Sequence, residues 1–296
     1  MNQCVSPCRA KKSSYSYETS YVRAGRVCQL DLHSPDGRIV VQLVHAGRIA
    51  RPVNTFHGRR AVAPSVVRLR GVVFTVCGLQ DMPAPRVLST REVAVTVEDF
   101  RRGAAAAVVA GAGGVEIHGA SGCLVHQFLA DSTNRRTDGY GGSFESRIRF
   151  AVELAAAVAD EIGAERTGLR ISPGNPCNDI AESDTAELYP ALLRALGPLG
   201  LAYLHVMPAG EEELLGTVRG LWPTTLVLNR GGTGLPVRVK DIDNGTADLV
   251  CVGALALANP DLVERLRDGA PLNTPDPATF YGGGAVGYTD YPTHTG

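Results

Sequence analysis

No surplus of charge marks this chain. Lys and Arg number 29 against 30 Asp and Glu, a formal net charge of −1. The basic excess expected of a nucleic-acid binder is missing, and so is the acidic run of a charged tail. Long apolar stretches are missing too. The longest runs are short strands and Ala-rich helices, well below the roughly 18 residues that a membrane span needs. No Cys/His quartet of zinc-finger spacing occurs. The seven cysteines (Cys4, Cys8, Cys28, Cys77, Cys123, Cys177, Cys251) are scattered, and Cys4 with Cys8 makes only a lone C-x-x-x-C. Free thiols in a reducing cytoplasm are the expectation. Lys11 and Lys12 precede no apolar core of a signal peptide. Residues 1–37 are expected to be an arm, poorly ordered or dependent on a partner.

What is present is ample apolar material. With 296 residues, 44% hydrophobic content and 34 Gly, the chain fits one large α/β domain with a substantial core. Its organising stretch runs from Gly113 to Ser146. A short apolar strand, Gly114-Val115-Glu116-Ile117-His118, breaks at Gly119 into a polar, Gly-punctuated segment before a helix near Phe144. Before it, Val97–Ala110 reads as a helix. After it, Glu145–Ile162 does, through Ile148, Val152, Leu154, Ala155 and Val158.

The same order recurs. Strands are expected at 38–44, 114–118, 168–172, 202–207, 225–229 and 248–253, with helices near 184–196, 211–221, 236–244 and 259–267. Polar or Gly residues close every strand: His45, His118, Arg170 with Ser172, His205, Asn229 and Gly253. That is the pattern of a parallel β/α barrel, whose site lies at the carboxyl ends of its strands. A Pro- and Gly-punctuated insertion occupies 51–91. In it Ser65–Leu69 and Val72–Val76, joined by Arg70-Gly71, read as a hairpin lid within about 62–80.

Several motifs, in order, resemble one family. HGASGCLVHQFL, NRRTDGYGGSFESR, GLRISP, AYLHV, ADLVCVGALALANPDLVERL and PATFYGGGAVGYTDYP are similar to segments of the old yellow enzyme family of flavin-dependent ene-reductases. The resemblance covers 38–292 and leaves 293–296 as a tail. It implies a TIM-type (β/α)8 barrel holding FMN, with NAD(P)H as reductant and an α,β-unsaturated carbonyl or quinone-like small molecule as substrate. Only six β/α units are matched, so the first two are expected to be lacking, replaced, or supplied by a partner chain or a second copy.

By the resemblance, Gln42 corresponds to the contact on the flavin pyrimidine, and Arg170 to the cation that stabilises the reduced ring. His118 corresponds to the first of two side chains that grip the substrate carbonyl. Gly231, Gly232 and Gly253 correspond to the backbone turns around the phosphate, and Phe280 and Tyr281 to aromatics beside the flavin. The family usually has Asn or His three residues after the first His and Tyr two beyond that; this chain has Ser121 and Cys123. It also has Ala254 where the family has a phosphate-binding Arg. These departures keep two alternatives open: a non-redox isomerase or cyclase on the same scaffold, with FMN binding weakened or lost, and a non-catalytic subunit or truncated homologue. His45, His126 and His205 read as packing or hydrogen-bonding residues. Asp138 and Arg135 read as an ion pair fixing a loop, and Arg230 as a candidate cation for the phosphate.

Overall fold

The computed structural model describes residues 39–55, 58–75, 78–280 and 284–294. The arm over 1–37, Cys4, Cys8, Cys28, Cys77 and Tyr281 lie outside the described residues. The chain enters as β1 (Val40–Leu43) and then makes the insertion, which contains β2 (Val62–Ala63), β3 (Val72–Thr75), β4 (Gly78–Asp81) and β5 (Arg86–Val87). Next come α1 (Thr90–Val109), β6 (Gly114–Gly119), α2 (Leu124–Leu129), α3 (Phe144–Ile162), β7 (Thr167–Ile171), α4 (Thr185–Leu196) and β8 (Tyr203–Val206). The chain continues through α5 (Glu212–Leu221), β9 (Thr225–Leu228), α6 (Leu235–Asp243), β10 (Leu249–Val250), α7 (Gly253–Ala258) and α8 (Leu262–Asp268).

Six strands form one sheet in the order β1-β6-β7-β8-β9-β10, every neighbour parallel. All six are the strands expected. Because side chains alternate across a strand, the register separates two faces. Val115, Ile117, Leu169, Ile171, Leu204, Val206, Leu226 and Leu228 join Leu154, Val158, Leu188 and Leu192 of the helices in the buried core. Each such side chain contributes about 1.5–3 kcal/mol by leaving water. The opposite face carries Gln42, Glu116, His118, Arg170, Tyr203 and His205, in rows set by the pairings Gln42↔Glu116, His118↔Arg170 and Arg170↔His205. This polar face is the interior of the barrel. Among the described residues, no helix is long and apolar enough to cross a membrane.

Four elements differ from expectation. α1 starts at Thr90 rather than Val97, because Ser89 and Glu92 form a capping box in which each side chain takes the other's backbone N–H. α2 and α7 were not expected; both are six residues long, too short to display helical periodicity. The hairpin is a different one. Val72–Thr75 pairs antiparallel with Gly78–Asp81, while Ser65–Leu69 follows Pro64 and forms no strand. The Thr75 hydroxyl donates to the Gly78 carbonyl at 2.7 Å, and Gly78 adopts φ +88°, which a glycine takes without strain.

Candidate active site

The carboxyl end of β6 delivers His118 onto the polar face beside Arg170. His118 is buried, and its Nδ1 has no partner. Burial first, and then the neighbouring Arg170 charge, push its imidazole down to about 4, so it is neutral at physiological pH. Arg170 is half-buried and leaves Nε unpartnered, while one terminal nitrogen lies 3.4 Å from Met207 Sδ. Two adjacent buried nitrogens without partners are uncommon in a folded interior. They make this end of the sheet the candidate place for a ligand.

The turn after β6 is held from every side. Ser121 adopts φ +52°, a region costly to most non-glycine residues. Its N–H donates to Ser172 Oγ at 2.8 Å and its carbonyl accepts from Asn178 Nδ2 at 2.7 Å. Gly122 follows at φ +75°, and a Cβ there would lie 2.7 Å from Asn178 Cβ. Its N–H donates to His126 Nδ1 at 3.0 Å, and its carbonyl accepts from Gln127 Nε2 at 2.6 Å. His126 Nε2 in turn lies 3.2 Å from Glu182 Oε2, with both side chains fully buried. With Nδ1 accepting, Nε2 is left beside that carboxylate at contact distance but outside hydrogen-bond geometry. Tyr189 and the Gly174 N–H complete the carboxylate, at 2.8 and 2.9 Å. His126 is therefore the hydrogen-bonded core residue expected.

Cys123 caps α2 without a side-chain hydrogen bond to it. Burial, with a smaller contribution from Cys177, pushes its thiol up to about 12. Ser121 and Cys123 share one rigid turn with His118, but this thiol holds its proton tightly.

The insertion is latched to the loop after β7. Arg48, fully buried, donates to the carbonyls of Asn178 and Asp179 at 2.8 and 2.7 Å and to Val67 at 3.4 Å. Arg70 pairs with Asp179 at 3.0 Å. Asp138 does fix its loop by ion pairing, but with Arg136, from Nε at 2.9 Å. Arg135 instead gives its backbone N–H to Ser65 Oγ.

At the other end of the sheet, Gly231, Gly232 and Gly253 have open space over the position a Cβ would take. They and Ala254 are exposed. Arg230 does not supply a free cation here: it pairs with Asp241 at 2.6 Å and with Glu212 at 2.5 Å, so its charge is neutralised in place. Gln42 is exposed on β1 and donates Nε2 to Glu116 Oε1. Phe280 is half-buried in the turn 277–280. Among the described residues no group of His, Cys, Asp and Glu could hold a metal.

The sequence reading missed Glu116, Glu182, Asn178 and Arg48. For Glu116 a signal existed, since it lies two residues before His118 and so on the same face. Glu182 and Asn178 lie in a loop with no periodicity to expose them.

The model of the NADH:flavin oxidoreductase / NADH oxidase family matches residues 11–273, reaching upstream of Arg38. A probable flavin mononucleotide-dependent alkene reductase of Leishmania infantum is 40% identical, over 93% of this chain and 78% of its own length. The 12-oxophytodienoate reductase 7 of Oryza sativa subsp. japonica is 38% identical, over 88% and 73%. Among solved structures, morphinone reductase superposes with a TM-score of 0.82 at 40% identity, covering 87% of this chain and 72% of that one. The old yellow enzyme homologue of Zymomonas mobilis has a TM-score of 0.82 at 32% identity, covering 86% and 74%. With the parallel sheet, the helices on its outer face and the polar interior, these likenesses make the chain an α/β barrel of the TIM type and a member of the old yellow enzyme family of NADH:flavin oxidoreductases.

Proposed function

We propose that this protein is an FMN-dependent ene-reductase that uses NAD(P)H to reduce the activated C=C bond of an α,β-unsaturated carbonyl compound. The observation that carries the reading is the pair of buried, unpartnered nitrogens, His118 Nδ1 and Arg170 Nε, side by side in register on the scaffold of this family. FMN, when bound, supplies the two-electron carrier between nicotinamide and alkene.

The residues present fit that group in most respects. Arg170 offers a fixed positive charge, and Gln42, with Nε2 given to Glu116, keeps its amide oxygen for a donor on the pyrimidine edge. Gly231, Gly232 and Gly253 leave backbone N–H groups approachable by a phosphate; Ala254 adds only its own. Phe280 and Tyr281 are assigned to the flavin border. His118, neutral, and the Ser121 hydroxyl hold the substrate carbonyl and polarise the alkene. Because the Cys123 thiol is pushed up to about 12, we assign the proton delivered to the substrate α-carbon to water, and to Cys123 the shape of the pocket wall. The latched insertion over 62–80 serves as the lid. The described free thiols Cys123, Cys177 and Cys251 support a reducing, cytoplasmic setting.

The test is the visible spectrum of the purified protein, followed by an FMN titration read by flavin fluorescence and by NADH and NADPH oxidation with 2-cyclohexenone. A saturable flavin complex with enone-dependent oxidation is expected. Cooperatively folded protein that takes up no FMN, or that converts substrate with no reductant consumed, overturns the reading and favours a non-redox enzyme or a subunit.

A further inference from the structure

A second chain of titratable groups lies on the same face of the sheet, and the proposed reduction does not use it. Glu116 of β6, His205 of β8 and Cys251, just after β10, stand in a line. Cys251 Sγ is 3.3 Å from His205 Nε2, and His205 Nδ1 is 2.9 Å from Glu116 Oε2. Gln42 holds the other carboxylate oxygen at 2.5 Å, and the Tyr203 hydroxyl also donates to the carboxylate. Tyr203 reaches it by lying over Gly168, where a Cβ would be 2.3 Å from the phenol ring.

A carboxylate only accepts hydrogen bonds, so Glu116 takes the Nδ1–H and fixes the tautomer. The Nε2 lone pair then faces the thiol. Thiol, imidazole and orienting carboxylate in this order are the arrangement that activates a nucleophile.

We propose that Cys251, His205 and Glu116 form an activated-thiol site that adds covalently to soft carbon electrophiles, α,β-unsaturated carbonyl compounds among them. The thiol proton passes to His205 Nε2. Sulfur forms a C–S bond at the β-carbon as the π bond of the alkene breaks, and the α-carbon takes its proton back from the imidazolium. Thiol and alkene give a thioether, and neither oxidant nor reductant is consumed.

The surroundings favour the imidazolium that this step forms. Burial lowers the His205 pKa, but its hydrogen bonds to Cys251 and Glu116 outweigh burial and hold it above the ordinary value. Burial likewise raises Glu116, and His205, Gln42 and Tyr203 together hold it below the carboxylate range. The other titratable groups on this face are Arg170, a cation on β7, and His118, neutral on β6. Cys251 is half-buried, so a small reagent reaches it. Cys123, with its thiol at about 12 and no imidazole bonded to it, is the control within the same chain. The site rests on distances within the sheet and stands whether or not the flavin reading does.

The test uses the protein as purified, with N-ethylmaleimide as the electrophile and no NAD(P)H present. Digestion and mass spectrometry follow each cysteine over time at about pH 6, where an ordinary thiol is almost wholly protonated. Cys251 is expected to alkylate at least about tenfold faster than N-acetylcysteine in the same tube, with Cys123 unlabelled. His205→Gln should remove that advantage, and Glu116→Gln should reduce it. Wild-type Cys251 reacting no faster than the free thiol, or a folded His205→Gln protein reacting as fast as wild type, overturns the proposal. The wild-type comparison decides it even if a variant fails to fold.

Discussion

Ser121 is the residue at which backbone and chemistry pull apart. Its φ of +52° suits Asn better than Ser, since a short amide tolerates the left-handed region. Ser172 and Asn178 hold the conformation through its N–H and carbonyl, so the turn survives with the poorer residue. Ser121→Asn should relieve the backbone and place a longer donor toward the substrate carbonyl. Combined with Cys123→Tyr, which replaces a short thiol whose proton burial holds tightly by a longer phenol O–H that reaches further into the site, it is expected to raise kcat/KM for an enone by about 10²-fold. Steady-state kinetics of the flavin-loaded protein check this; no gain removes the assignment of both positions. Gly122 next door cannot change. A Cβ at φ +75° would meet Asn178 Cβ at 2.7 Å and the Cys177 carbonyl at 2.8 Å. Gly122→Ala should therefore cost roughly 2 kcal/mol or more, read as a lowered urea midpoint.

Elements set where those residues stand, and their boundaries carry energy of their own. Ser89 and Glu92 start α1 through reciprocal bonds of 3.3 and 2.8 Å, and Arg86 adds an ion pair to Glu92 at 2.8 Å. Ser89→Ala is expected to lower stability by about 1 kcal/mol without altering turnover, a split that thermal melts and kinetics together resolve. The six strands are legible as short apolar runs closed by polar or Gly residues, and in β6 Val115 and Ile117 also alternate with Glu116 and His118 at a period of two. The long helices α3 and α4 were legible by their apolar spacing. α2 was not, since all six of its residues are buried and a helix buried all round shows no amphipathic stripe. For the site, the carboxyl-end residues His118 and Arg170 could be read from strand position and motif. The support beneath them could not. Arg48 reaches carbonyls 130 and 131 residues away, and Glu182 reaches His126 from a loop on the far side of α3. Such pairings depend on the closed fold, and no local pattern encodes them.

At the scale of the whole molecule, acid stability follows from two histidines that fold in the neutral form. Burial pushes both His45 and His118 down to about 4 from an ordinary 6.5, and the Arg170 charge adds to the effect on His118. Between those values the unfolded chain binds a proton at each site and the folded chain does not. Stability therefore rises with pH through this window, is fully present above pH 6.5 and is lost as pH falls toward 4. Each histidine accounts for on the order of 3 kcal/mol across it. His205 has the opposite sign. Its raised pKa gives stability that is present below the unfolded value and lost as pH rises through the folded one. Urea midpoints measured from about pH 7 to about pH 4 are expected to fall for wild type. The slope should be less steep by one proton in His118→Gln and again in His45→Gln. The same neutrality predicts that enone-dependent turnover keeps its His118 donor down to about pH 4.5, so activity should persist in a range where the folded fraction has begun to decline. An unchanged stability slope in His118→Gln would mean that the imidazole is charged in the folded protein, and the carbonyl would then be held by an imidazolium rather than by a neutral N–H.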